Sequence, residues 1–373
     1  MAVRYSYLKQ QFSDCDDLWE ELKSFVETGD FTLGKPLLEF ERKFAELIGT
    51  KFAIGVGSGT DAIKIGLKAL GVKSGDEVIT AANTFVATVG AIVELGAIPR
   101  FVDVRRDFCM DPSKIEEKIT ERTRAIVPVH FTGYMTDMEQ VLRLASKYKL
   151  AVVEDACQSI LASTHGKNAG CWGDAGAFSL HPLKNINVWA DGGIIVTNSE
   201  EVNLEARLLR NHGLLDRDHV VRMGFNSRLD TFQAVIGNWL LPKAHEISDS
   251  RIANARYLDS MLSRIPQIKI PDRYSDMRIV YHLYSVFAEN RDGLLEHCRK
   301  NGIEAKVHYP IPIYKQEGVK SFLAEHSETY EQADWLAENS ISFPCDQHLS
   351  RQQLDEIVFA VESYYQLERV MQK

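Results

Sequence analysis

Three groups of residues in this chain have the types and spacing to do chemistry together. The first is Gly55-Val56-Gly57-Ser58-Gly59-Thr60-Asp61, set between a strand-like run and a helical one. Glycines there let the backbone approach an anion, and amides at a helix N-terminus bind phosphate. A dinucleotide fingerprint needs G-x-G-x-x-G and an acid closing the next strand. Here the spacing is G-x-G-x-G and that strand ends Thr80-Ala81-Ala82-Asn83, so a single phosphate suits the loop better. A tight turn with an N-cap is the plainer alternative. The second group is Asp155, at the end of Leu150-Ala151-Val152-Val153-Glu154-Asp155. An acid at the carboxyl end of a central strand faces the crevice where α/β sheets bind ligands. Buried there it needs a cationic or protonated partner, such as a pyridinium N–H. A helix N-cap or a structural ion pair would use the same residue. The third is Lys184, in Ser179-Leu180-His181-Pro182-Leu183-Lys184-Asn185. A lone lysine is usually a solvated charge, but on a strand-end loop beside an acidic pocket it can condense with an aldehyde. A phosphate cradle, a strand-end acid and a loop lysine together form the inventory of a pyridoxal 5'-phosphate site.

Other polar residues carry less. His130, His165, His181 and His212 show no HExxH or paired spacing, so no metal site is expected. His282 and His308 read as structural or substrate-adjacent, and Met138 and Trp239 as core.

The elements that must position these groups alternate through the first two-thirds of the chain. Strands are expected at 51–56, 77–80, 98–102, 125–129, 151–154, 175–180 and 194–197, with helices at 61–70, 85–95 and 138–148. This order implies an α/β fold with a mostly parallel sheet and ligands at the strand carboxyl ends. Near Arg228 the texture changes. A long helical stretch at 229–255 is interrupted by Pro242, followed by strands at 282–288 and 304–307 and helices at 294–300, 330–339 and 351–364. The expected organisation is a large α/β domain over residues 1–235 and a smaller α+β domain over 236–373.

Composition limits the function classes. A chain of 373 residues suggests two domains, and 45% hydrophobic with 25% charged residues is ordinary for a globular protein. A net charge of −9 disfavours nucleic acid or an anionic membrane as partner. No apolar run approaches the roughly 18 residues that span a bilayer, and the first residues carry no signal-peptide pattern. Six cysteines without CxxC spacing read as reduced thiols of a cytosolic protein.

The chain resembles the DegT/DnrJ/EryC1/StrS sugar aminotransferases, which are fold type I pyridoxal phosphate enzymes. The resemblance covers nearly the whole chain. It rests on Phe40-Glu41, Gly57-Ser58-Gly59-Thr60-Asp61-Ala62, Gly75-Asp76-Glu77-Val78-Ile79, Thr84-Phe85-Val86-Ala87-Thr88 and Phe101-Val102-Asp103. It continues through Pro128-Val129-His130, Glu154-Asp155-Ala156-Cys157-Gln158, Phe178 to Asn185, Tyr281-His282-Leu283-Tyr284 and His308-Tyr309-Pro310. By this resemblance Lys184 carries the cofactor and shuttles protons, Asp155 partners the ring nitrogen, and Gln158 stands beside the ring hydroxyl. Phe85 stacks on the ring, Gly59, Thr60 and Ser179 form the phosphate cradle, and Asn226 reaches the phosphate of a neighbouring subunit, which implies a homodimer with shared sites.

The resemblance further implies transfer of an amino group from L-glutamate to a keto sugar, nucleotide-linked as is usual in the family, in amino-sugar or lipopolysaccharide biosynthesis. Leu183 stands where many members have Thr. The run Ile186-Asn187-Val188-Trp189-Ala190-Asp191-Gly192-Gly193 replaces a common Gly-Glu-Gly-Gly and looks more like members that aminate a 3-keto than a 4-keto sugar. Trp189 is expected to add bulk where the sugar sits. An unlinked keto or aldehyde sugar acid, such as an 8-oxo octulosonate, is the alternative acceptor. Two other classes are a sugar dehydratase, which Lys184 argues against because related dehydratases carry histidine there, and a regulatory protein, which the acidic charge and lack of a basic stripe argue against.

Overall fold

The computed structural model describes residues 2–323 and 328–371, with side chains to residue 367. Its central sheet has seven strands: β1 (Phe52–Val56), β2 (Glu77–Ala81), β3 (Ile98–Val102), β4 (Thr123–Val127), β5 (Ala151–Asp155), β6 (Ala175–Ser179) and β7 (Gly193–Thr197). They lie in the order β1-β7-β6-β5-β4-β2-β3. The pairs β2/β3, β2/β4, β4/β5 and β5/β6 are parallel. Only β7 runs the other way, antiparallel to both β6 and β1. Six strands therefore end on one edge, and β7 begins there.

Helices cover both faces, as a buried parallel sheet requires. They are α2 (Lys35–Ile48), α3 (Gly59–Ala69), α4 (Val86–Val93), α5 (Met138–Tyr148), α6 (Glu200–Arg210) and α7 (Thr231–Leu240), while α1 (Asp16–Thr28) packs outside them on α7. Side chains alternate between the faces along each strand. Ile54, Val127, Val153, Ala177 and Ile195 join the core under α3, whereas Ala53, Ile126, Val152, Phe178 and Val196 join the core under α2 and α5.

After Pro242 comes α8 (Ala244–Leu262). Its first turns, with Ala244 and Ile247, belong to the large core. Its later residues Ala255, Leu258 and Leu262 belong to a second core, so the chain passes between cores along this helix. The second core holds a three-stranded antiparallel sheet, β8 (Ile268–Lys269), β9 (Tyr284–Ala288) and β10 (Ser340–Phe343), in that order. Flanking it are α9 (Arg291–Lys300), α10 (Glu331–Asn339) and α11 (Arg351–Met371). Val3 bridges Ile303, placing the start of the chain in this second core.

Two expected elements differ from the structure, and two helices were not expected. Residues 304–307 do not form a strand; Lys306 alone exchanges backbone bonds with Ser342, at 3.0 and 2.8 Å, before the chain turns toward the central cavity. Phe85 does not begin α4 but is its N-cap, extended at φ −73° and ψ 148°, so its ring stands 49% exposed. Helices α1 and α2 had no sequence reading, although Leu18, Leu22 and Phe25 have helical spacing and are buried. No helix of the described residues is long and apolar enough to cross a membrane.

Candidate active site

A cavity of about 330 Å³ opens at the carboxyl edge of the sheet, walled on its far side by the second core. Strand register brings its floor together. Val56 at the end of β1 pairs with Gly193, and Gly193 pairs with Ser179 at the end of β6. Asp155 ends the next strand, β5.

The loop after β1 becomes the N-terminus of α3. Ser58 caps it, its Oγ accepting from the Asp61 amide at 3.0 Å. Ser227 ties the loop from outside: its Oγ accepts from the Gly57 amide at 3.0 Å and donates to Asp61 Oδ2 at 2.8 Å. Gly59 and Thr60 are the first helical residues, with amides free of intrahelical partners. A Cβ on Gly59 would lie 2.7 Å from Ser179 Cβ and 3.0 Å from Cys157 Sγ, so only glycine lets the two sides of this cradle meet. Gly193 is required for the same reason, since a Cβ there would stand 2.1 Å from the Ser58 carbonyl.

Two adjacent acids on β5 point opposite ways. Glu154 is fully buried and accepts from the amides of Gly170, Trp172 and Gly173, at 2.6 to 2.9 Å, and from His130 Nε2 at 2.8 Å. Asp155 faces the cavity. Thr88 Oγ1 donates to its Oδ2 at 2.7 Å, and the Cys157 amide to its Oδ1 at 3.1 Å. Thr84 supports Thr88 through a 2.7 Å hydroxyl contact. Gln158 accepts from the Thr132 amide at 2.8 Å, which fixes its side chain at the cavity edge.

Lys184 sits on the loop after β6. Its amide donates to the His181 carbonyl at 2.8 Å, and its own carbonyl accepts from the Tyr7 hydroxyl at 3.0 Å. Among the described residues its Nζ makes no hydrogen bond or ion pair. Burial lowers the pKa of this amine, against the pull of the Cys157 thiol and Asp155. The neutral, nucleophilic form is thereby favoured. Burial also raises the Cys157 thiol well above its usual range.

The far wall comes from segments whose part in the site had no sequence signal or only a partial one. Tyr5 and Tyr7 enter from the N-terminus, Arg251 from α8, and Lys306, His308 and Tyr309 from the loop that follows α9, where Tyr309 packs against the large core. His282 Nδ1 lies 3.3 Å from Asn185 Oδ1. Burial and nearby cations hold both cavity histidines neutral: His282 is well below its ordinary pKa, and His308 falls to about 4. The Tyr309 ring approaches Phe85 at 5.8 Å between centroids.

The structure thus gathers Gly59, Thr60, Phe85, Asp155, Gln158, Ser179 and Lys184 around one cavity. Asn226 is not among its lining residues; it is exposed, bridged to Asn211. Trp189 departs from its expected place. Its ring packs on Phe12 and Trp19, at 5.5 and 5.2 Å, under α1 and away from the cavity. The backbone there takes φ 68°, which turns the side chain outward.

These features fit pyridoxal phosphate: a cradle that a Cβ would fill, a carboxylate held by hydrogen bonds with one side open, and an amine without a partner. The family model described as the DegT/DnrJ/EryC1/StrS aminotransferase family matches residues 14–362. Among curated relatives, the "pleiotropic regulatory protein" of Geobacillus stearothermophilus is 35% identical, covering 98% of this chain and 97% of its own length. The dTDP-3-amino-3,4,6-trideoxy-alpha-D-glucose transaminase of Streptomyces venezuelae is 34% identical, covering 98% of each. Among solved structures, S. venezuelae DesV in complex with a ketimine intermediate superposes with a TM-score of 0.94 at 33% identity, over 97% of this chain and 98% of that one. NtdA of Bacillus subtilis with bound cofactor PMP gives 0.90 at 30% identity, over 97% of this chain and 85% of that one.

Proposed function

The chain belongs to the DegT/DnrJ/EryC1/StrS aminotransferase family, and from that premise we propose that it moves an amino group from L-glutamate to a nucleotide-linked 3-keto sugar, using pyridoxal phosphate held by Lys184. The observation that carries this reading is the unpartnered Lys184 amine facing the same cavity as Asp155 and the Gly59–Ser179 cradle. When bound, the cofactor supplies an aldehyde that takes up the amino group and a ring that draws electrons from the reacting carbon.

The residues of this chain do the rest. Gly59, Thr60 and Ser179 would hold the phosphate at the N-terminus of α3. Asp155 would hold a proton on the ring nitrogen, its own orientation set by Thr88 and the Cys157 amide. Gln158 would stand by the ring hydroxyl, and Phe85 would cover the ring. Lys184 Nζ takes and returns protons in both half-reactions, a role its burial favours. The apolar rings of Phe85, Phe131 and Tyr309 help exclude water.

The acceptor assignment is supported by the Asp191-Gly192-Gly193 run and by the 3-amino sugar product named for the S. venezuelae relative. The product would enter amino-sugar or surface-polysaccharide synthesis in the cytosol. We further propose a large domain over 1–235 with a small one over 236–373, and a homodimer in which Asn226 reaches the partner's phosphate. Exposed Leu215, Val220, Val221 and Met223 on the segment leading to Asn226 support such a contact.

The test is an acceptor panel with glutamate as donor, comparing 3-keto and 4-keto nucleotide sugars with unlinked keto-sugar acids. Turnover with a 3-keto nucleotide sugar well above the others is expected. A colourless protein that binds no cofactor would instead favour a regulatory role.

A further inference from the structure

Resting on the aminotransferase reading, we infer that Arg251 is the residue that recognises a substrate carboxylate, in the first place that of the amino donor. Arg251 lies on α8, is 3% exposed, and lines the cavity opposite the cofactor cradle. A buried guanidinium is ordinarily paired with a carboxylate. This one has none: among the described residues no carboxylate oxygen comes within 4.0 Å of it. Asp346, in the same wall, stays outside that distance, with its Oδ1 taken up by the His348 amide at 2.9 Å.

The guanidinium is nevertheless held firmly. Nε donates to Gln347 Oε1 at 3.2 Å, and Nη1 to the carbonyls of Tyr281 and His282 at 3.2 and 3.5 Å. Its carbon stands 5.0 Å from the Tyr7 ring centre, and the Tyr7 hydroxyl is a further hydrogen-bond neighbour. None of the bonds to Gln347, Tyr281 and His282 uses Nη2. The other cations of the wall are already engaged: Lys306 pairs with Glu304 at 3.4 Å, and Lys184 is the proposed cofactor lysine. His282 and His308 are neutral there. The cavity therefore offers one fixed guanidinium without a contacting carboxylate, its Nη2 outside these bonds and Asp346 acting on it only from beyond 4.0 Å. A carboxylate can come from the donor, or from an acidic sugar as acceptor.

Three measurements on the cofactor-loaded enzyme separate these sources, using Arg251→Gln and Arg251→Lys. In the donor half-reaction, followed by the fall of the aldehyde form's visible band, Arg251→Gln is expected to raise half-saturation by L-glutamate roughly 10- to 100-fold while the limiting rate changes little. Arg251→Lys keeps the charge but loses the planar, tethered placement of Nη2 and should fall between. In the acceptor half-reaction, a raised half-saturation for acidic keto sugars alone would assign the carboxylate to the acceptor. The third measurement is calorimetric binding of glutarate, a dicarboxylate that cannot react. If wild type ignores glutamate yet binds glutarate through Arg251, the donor reading fails and the anion site stands. The opposing view is that Arg251 merely clasps Tyr281 and His282. A folded Arg251→Gln protein with unchanged glutamate, acidic-acceptor and glutarate affinities would overturn the inference. Should that variant not fold, unchanged affinities in Arg251→Lys would do the same.

Discussion

Substituting Glu41→Gln should destabilise the protein by several kcal/mol and weaken the cofactor loop without touching the cavity. Glu41 on α2 is 3% exposed and bonds the equally buried Arg210 of α6. Its other oxygen accepts from Arg207 at 2.9 Å. The pair also clamps the end of β1: Glu41 Oε1 accepts from the Gly55 amide at 2.8 Å, and Arg210 Nη1 donates to the Gly55 carbonyl at 2.8 Å. The cradle loop starts two residues later. Glutamine keeps the shape and the acceptor for Gly55 but leaves the Arg210 charge buried without its anion. Breaking such a pair costs about 3–5 kcal/mol. Unfolding entropy near 2 cal/mol/K per residue then gives a fall in Tm of roughly 4–6 °C if a chain this long melts in one step. The assay is thermal unfolding of the apo protein with a denaturant titration beside it. In a separate cycle of Glu41→Met, Arg210→Met and the double variant, removing both charges should recover more than half the loss of Glu41→Met, giving a coupling energy of at least about 2 kcal/mol. A Glu41→Gln change within about 0.5 kcal/mol, or simple additivity in the cycle, would refute this reasoning.

Asp155→Asn should fold with near-normal stability but lose at least roughly 100-fold in transamination, because an amide does not favour the protonated ring nitrogen; near-normal turnover would make Asp155 structural. Gly59→Ala forces a Cβ to within 2.7 Å of Ser179 Cβ. It should cost about 1–3 kcal/mol and weaken cofactor affinity at least tenfold by absorbance titration, and unaltered affinity would remove Gly59 from the cradle. His308 has a folded pKa of about 4 against an ordinary 6.5. Between those values the unfolded chain binds more protons, so stability rises with pH, by at most ~1.4 kcal/mol per pH unit from this group. Stability curves measured from pH 4 to 6.5 should therefore be flatter for His308→Asn; an unchanged slope would mean that His308 is not held neutral.

The cofactor side of the site was legible because it is local. Gly59, Asp155 and Lys184 lie at strand ends or on short strand-end loops, where residue type, spacing and the neighbouring apolar run point to the same edge of the sheet. The opposite wall was not. Tyr7 meets the Lys184 carbonyl across 177 residues, and Arg251 is one cation on a long helix until the tertiary packing buries it. Nothing in the periodicity of 244–262 distinguishes it from Arg256. Trp189 misled because a bulky residue beside a catalytic loop reads as lining, and only the positive φ and the packing of α1 turn it away. Residues 304–307 have strand composition, but β10 offers them a single paired position before His308 and Tyr309 enter the cavity.

The central claim is that Lys184 is the residue on which this chain holds pyridoxal phosphate. Borohydride reduction of the loaded protein, followed by proteolysis and mass mapping, tests it most directly. The account predicts one pyridoxyl group per chain on the peptide containing Lys184, and none after Lys184→Ala; label on another lysine, or undiminished label in that variant, would contradict it.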